Sequence, residues 1–303
     1  MVTRNLTILP ALLLVLLWAG CEEDVVLVSG TDHVYSLYGV LNPTADTQFV
    51  YVFPVEPSLE PGRPEPLDAR VTSVERETGE TVVWTDSLVQ DAQGHFAHVY
   101  WRAGRVAYEH TYRLAVERSD GAESSAEVTV PPRVRVATRD ASLGSQVWHP
   151  VDLVGAAPQL LRVEVVYWAH AIEGFAAGGT PILTDRMISA PLEGRLSRTA
   201  EGWRVMLNLT EAYAQAYAAF AKDLTPALLN NGIQLSLITL RAIVANEAWS
   251  PPDGIFDPEV LIVPEVMTNV DEGFGFVGAG YRVQHQWRPP IEAAAAAGFR
   301  PIA

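Results

Sequence analysis

Residues 269–287 read NVDEGFGFVGAGYRVQHQW, and Gly273, Gly275 and Gly278 within them spell G-x-G-x-x-G. Those are the letters of a dinucleotide-binding turn. The turn works only when it follows a buried strand and opens a helix whose N-terminus faces a pyrophosphate, with an acidic residue about 20 positions on. Here Tyr281, Val283, His285 and Trp287 alternate with Arg282, Gln284 and Gln286, and Pro289-Pro290 closes the run. Period-two alternation is strand behaviour, and glycines inside a strand mark a bulge or close backbone approach. The run is therefore read as a closing β-strand with structural glycines, and no nucleotide or other cofactor is expected.

Moving toward the N-terminus, a strand near 233–245 (IQLSLITLRAIVA) precedes this run across a proline-punctuated loop. Before it the period changes from two to helical. Tyr213, Tyr217, Phe220 and Leu224 recur at helix spacing, with Thr210 as the expected N-cap, so a helix is expected near 210–230 with that aromatic stripe buried. A hairpin around 194–209 alternates Trp203, Val205, Leu207 and Leu209. A strand at 160–168 (LLRVEVVYW) is followed by a glycine-rich stretch at 174–181.

The first half of the chain carries short alternating runs near 33–41, 48–55, 69–76, 80–85, 95–101, 110–118 and 123–130. Thr78-Gly79 and Asp120-Gly121 sit at the tight links, where glycine supplies a positive φ. Seven short strands in this length predict an immunoglobulin-like sandwich, with Tyr112 in its core. Pro54, Pro57, Pro61, Pro64 and Pro66 make the link after the second strand an extended loop. Pro131-Pro132 ends the last ladder.

The expected fold is mainly β: an immunoglobulin-like β-sandwich over 33–131, then a β-rich domain over 132–288 with one helical insertion, and a Pro/Ala-rich tail at 289–303.

The N-terminus opens MVTRNLTILPALLLVLLWAGCEED. Arg4, an apolar run from Leu6 to Trp18 and the small pair Ala19-Gly20 have the layout of an export signal, expected over 1–20. The run is short of the roughly 20 residues that a spanning helix needs. Trp18-Ala19-Gly20-Cys21 resembles the lipobox of bacterial lipoproteins, with Trp18 where leucine is usual. That resemblance implies lipidation of Cys21 and a membrane anchor made of acyl chains. Cys21 is the single cysteine, so lipidation would leave no thiol for disulfides, nucleophilic chemistry or thiolate metal binding. Glu22, Glu23 and Asp24 begin an acidic tether over 21–32. They resemble the signal that sends Bacteroidota lipoproteins to the cell surface.

The formal net charge is −15, with Lys222 the single lysine. An acidic surface repels phosphate backbones, so no nucleic-acid partner is expected. Of the seven histidines, His95 and His98 lie three apart on an expected strand and so on opposite faces, which does not suit one metal. Neither H-E-x-x-H nor G-x-S-x-G occurs. No catalytic or metal-binding residues are assigned, and the protein is expected not to be an enzyme.

The segment Thr268–Gly280, TNVDEGFGFVGAG, resembles the closing signature of a family of Bacteroidota outer-membrane lipoproteins, domain of unknown function 4249 (DUF4249). Asn269, Glu272, Gly273, Gly275 and Phe276 fill that signature, with Gly278 following. YSLYGVLNPTADTQFVYV at 35–52 and TYRLAVERSDGAESSAEVTVP at 111–131 are similar to its first strand pair and a later hairpin. The resemblance implies an outer-membrane, lipid-anchored protein on the cell surface. It also implies a non-catalytic accessory or ligand-capture role beside a TonB-dependent transporter, with the ligand unspecified. The alternatives are a structural or adhesive surface module and an extracellular hydrolase.

Overall fold

In the computed structural model, which describes residues 32–55, 64–90, 94, 96–249 and 268–301, the run 270–287 joins two of the three sheets. β16 (Val270–Asp271) pairs antiparallel with β8 (Glu123–Thr129). The chain then crosses over, and β17 (Gly273–Trp287) pairs parallel with β1 (Tyr35–Leu41) through Ala279. From Gly280 onward β17 pairs antiparallel with β15 (Ile233–Ala245). The fold is mainly β.

The first half is an immunoglobulin-like sandwich. One sheet runs β1, β2 (Thr47–Pro54), β6 (Phe96–Ala103), β5 (Thr85–Gln90); the other runs β8, β7 (Thr111–Glu117), β3 (Arg70–Glu75), β4 (Thr81–Val83). With β4 as a short extra edge, these are the A-B-E-D and G-F-C sheets of that architecture. Alternation places Val50 and Val52 inward and Phe49, Tyr51 and Phe53 outward on β2. Tyr112 is the second residue of β7, the sixth of the seven principal strands. Its hydroxyl accepts the Ala107 N–H at 2.8 Å and donates to Glu75 Oε1 at 2.8 Å. This is the tyrosine corner of immunoglobulin-like domains, a more specific role than core filling. The sequence reading stopped at Thr85, whereas the structure adds β5 as a separate edge strand.

In the second half, β17 continues an eight-stranded sheet through β15, β11 (Gln159–Phe175) and β12 (Pro181–Pro191). A four-stranded sheet of β13 (Leu196–Thr199), β14 (Gly202–Asn208), β10 (Trp148–Val154) and β9 (Arg135–Thr138) accompanies it. Helix α1 (Leu209–Phe220) is capped by Asn208, whose side chain accepts the Glu211 N–H at 3.1 Å. Thr210, the expected cap, instead accepts the Val147 N–H at 2.9 Å. The buried stripe of α1 is Leu209, Ala212, Ala216 and Phe220, while Tyr217 is exposed. Small alanines let the helix lie close to the sheet, which displaces the expected tyrosine stripe by one residue. α2 (Pro226–Leu229) is a single turn. The alanine run near the C-terminus forms α3 (Ile291–Ala297), burying Ala293, Ala294 and Ala297.

The described residues from His33 onward form one compact unit with two hydrophobic cores. One core draws on residues 34–130 and takes Val270, Val277 and Ala279 from the closing run. The other runs from Val134 to Phe299. The closing strand thus belongs to the sandwich core up to Ala279 and to the second core from Tyr281. Tyr281 also latches the Pro131-Pro132 junction: its hydroxyl donates to Pro132 O at 2.8 Å and accepts the Val134 N–H at 2.7 Å. Burial pushes the Tyr281 phenol up to about 12.

Candidate functional site

Asn269, Glu272, Gly273, Gly275, Phe276 and Gly278 of the closing motif each have a structural job. Asn269 clamps Val277, accepting its N–H at 2.9 Å and donating to its carbonyl at 2.7 Å. Asn246 accepts the Ala279 N–H at 3.1 Å in the same manner. Glu272 takes φ 49° at the crossover, and its carbonyl accepts from Ser124 Oγ at 2.7 Å. A Cβ on Gly273 would stand 2.6 Å from Tyr35 O; on Gly275, it would overlap Leu37 O, and on Gly278 the Trp249 indole. Phe276 is buried edge-on against Trp249, ring centroids 5.0 Å apart. No helix follows the glycines; β17 runs straight through them.

Cys21, Glu22, Glu23 and Asp24, with the 1–20 signal and most of the 21–32 tether, lie outside the described residues, as does His95. His98 is buried and bonds Asp86 Oδ2 at 2.9 Å and Glu65 O at 3.1 Å. His110 contacts Glu75 at 2.5 Å. His149 accepts from Trp287 Nε1 at 3.1 Å, and burial pushes its pKa below the ordinary 6.5. Each of these three meets a partner of its own. Among the described residues, no group of three or more His, Cys, Asp and Glu side chains stands close enough to hold a metal ion.

The surface with the most chemistry lies elsewhere. On the outer face of the long sheet, where β11, β15 and β17 run side by side, a trough of about 620 Å³ opens to solvent. Arg162, Arg241 and Arg282 line it with Glu164, Ser189 and Gln284; Pro191 and Ile243 supply apolar surface, while Val163 and Ala242 border it but belong to the buried core. The strand register brings these residues together. Glu164 pairs with Arg241, Arg241 with Gln284, and Ile243 with Arg282. Between Leu161 and Glu164, β11 carries one residue more than β15 needs, and Arg162 in that bulge adopts φ 48°. A bulge re-aims side chains, so a second cation joins the face that already bears Glu164.

Arg241 Nη1 and Glu164 Oε1 are 3.1 Å apart, with both side chains partly exposed. Three guanidinium groups against one carboxylate leave a local positive excess on an acidic chain. Such a surface holds oxyanions by forked N–H donation.

Sequence reasoning missed these three residues. The available signal was an arginine inside each of three largely apolar strand runs: LLRVEVV, ITLRAIV and GYRV.

A second surface is apolar. Phe49, Tyr51 and Phe53 project from the outer face of β2, with the Tyr51 and Phe53 rings parallel at 6.4 Å and Tyr38 beside Phe53 at 6.1 Å.

No known family model matches the chain, and no curated protein does. One similar solved structure is the C-terminal globular domain of an oligosaccharyltransferase from Pyrococcus abyssi, at 8% identity and a TM-score of 0.20. The match covers 67% of this chain and 46% of that one, a likeness too slight to bear on function.

Proposed function

We propose that this protein is a non-catalytic, lipid-anchored capture protein of the bacterial outer membrane, displayed at the cell surface and accessory to a TonB-dependent transporter. Support for the anchor comes from Trp18-Ala19-Gly20-Cys21 after the apolar run, and for surface display from Glu22, Glu23 and Asp24. The transporter association comes from the resemblance of the 268–280 signature to the DUF4249 lipoproteins. The observation that carries the capture role is the arginine-lined trough, whose backbone positions are fixed by paired strands. A fixed backbone lowers the ordering cost of binding.

The test is cross-linking in intact cells, followed by purification of the protein from the outer membrane. Recovery of a TonB-dependent transporter, lost in Cys21→Ser, is the expected result. A protein that stays soluble, or that never cross-links to such a transporter, would sink the proposal.

One observation favours an adhesive module instead: the exposed row Phe49, Tyr51 and Phe53. That reading expects binding to surface polymers that Tyr51→Ser abolishes, with no transporter recovered.

A further inference from the structure

We infer that the trough between β11, β15 and β17 takes an oxyanion-bearing small molecule, a carboxylate or a phosphate ester, with Arg162 and Arg282 as its primary ligands. The inference rests on the capture reading and names the class of cargo.

Eight of the fifteen described arginines outside the trough face a carboxylate. Arg76 pairs with Glu127 at 2.7 Å and Arg118 with Asp120 at 2.6 Å, while Arg139 and Arg204 share Asp152 at 2.7 Å each. In a chain with 36 acidic and 21 basic residues, a carboxylate partner is easy to find. The side chains of Arg162 and Arg282 make no hydrogen bond or ion pair among the described residues; the same holds for Arg70, Arg133, Arg135 and Arg288, but only Arg162 and Arg282 stand together in one trough. The third arginine, Arg241, is held by Glu164, which a ligand's oxyanion can displace.

Backbone geometry points the same way. Arg162 sits at φ 48°, where a side chain other than glycine is strained. Glycine would fit that bulge without strain, yet the position carries an arginine aimed at the trough. Ser189 and Gln284 add neutral hydrogen-bonding groups suited to hydroxyls on a cargo, and Pro191 and Ile243 face its carbon frame. A volume of about 620 Å³ admits a molecule of monosaccharide to disaccharide size.

The full chain in detergent is titrated by calorimetry with D-galacturonate, inorganic phosphate and neutral D-galactose. Saturable binding of galacturonate, phosphate or both, weaker at high salt, is expected; galactose should give none. Galacturonate alone assigns a carboxylate cargo, phosphate alone a phosphorylated one. Arg282→Gln should weaken binding about tenfold or more, the equivalent of one charge-assisted hydrogen bond. Arg162→Gly should weaken it similarly while leaving the melting temperature unchanged or higher, which separates lost binding from lost folding. Glu164→Gln should tighten binding several-fold by freeing Arg241. Equal binding of galactose and galacturonate, or full anion affinity in both arginine variants, overturns the inference. If no anion binds while the transporter cross-link persists, the cargo class is wrong and the capture role stands.

Discussion

Leu37 and Gly275 face each other across the parallel pairing of β1 and β17, so closely that a Cβ on Gly275 would overlap the Leu37 carbonyl oxygen. The Gly275 φ is 97°, a left-handed value that glycine takes without penalty. Space and conformation therefore demand glycine independently. Gly275→Ala should destabilise the fold by more than about 2 kcal/mol, the sum of a φ penalty and overpacking against backbone. Gly79, with φ 74° and open space around it, is the control. Its alanine variant should lose only about 1 kcal/mol. Urea denaturation of both variants reads the difference, and equal losses would remove the argument from close approach.

The tyrosine corner offers a second test. Tyr112→Phe keeps the ring but strips the acceptor from the Ala107 N–H and the donor from Glu75. A buried group left without its partner costs about 1–3 kcal/mol, so a loss in that range is expected on chemical denaturation. An unchanged midpoint would mean that solvent replaces both bonds.

Stability should fall on acidification in two phases. His149 is held neutral by burial, its pKa below 6.5. As the pH drops through 6.5 the unfolded chain takes up this proton before the folded one, and the stability tied to the neutral ring is lost. Asp152 is held below 3.8, by Arg204 foremost and then Arg139. Hydrogen bonds from Thr78 first, then Tyr112 and His110, hold Glu75 below 4.5. Their contributions are complete above those ordinary values and disappear as the pH falls toward the depressed ones. The melting temperature should therefore begin to decline near pH 6.5 and decline again near pH 4. His149→Gln, which keeps an acceptor for Trp287, should abolish the first phase alone. A first phase that persists in this variant would assign it to another group.

Surface display is the fourth prediction. Replacing Glu22, Glu23 and Asp24 together with alanine should leave acyl labelling at Cys21 intact while reducing cleavage by external protease in whole cells. Unchanged protease sensitivity would make the acidic run a tether and nothing more.

Much of the architecture is written locally. Alternating runs such as HTYRLAV and WRVML carry their own period, because a strand buries every second side chain whatever its partner. That is why the sandwich, the 233–245 strand and the existence of a helix after residue 208 were legible. β5 was not, since an edge strand with mostly exposed residues shows little alternation. The C-terminal alanines were not either. Their burial as α3 depends on the ring of Phe299 meeting Tyr213 of α1 at 5.2 Å, a contact between distant segments. The closing glycines could be recognised as strand glycines from their neighbours, but the partner that requires them, Leu37, lies at the other end of the described chain. Register is equally non-local: Arg162, Arg241 and Arg282 meet only because three strands align at particular offsets and β11 inserts one extra residue. The sequence by itself thus determined the strand periods, the turn positions and the acidic character, all properties of neighbouring residues. Tertiary structure decided which strands pair and where three arginines converge, because pairing energy is spent between residues that the chain holds far apart.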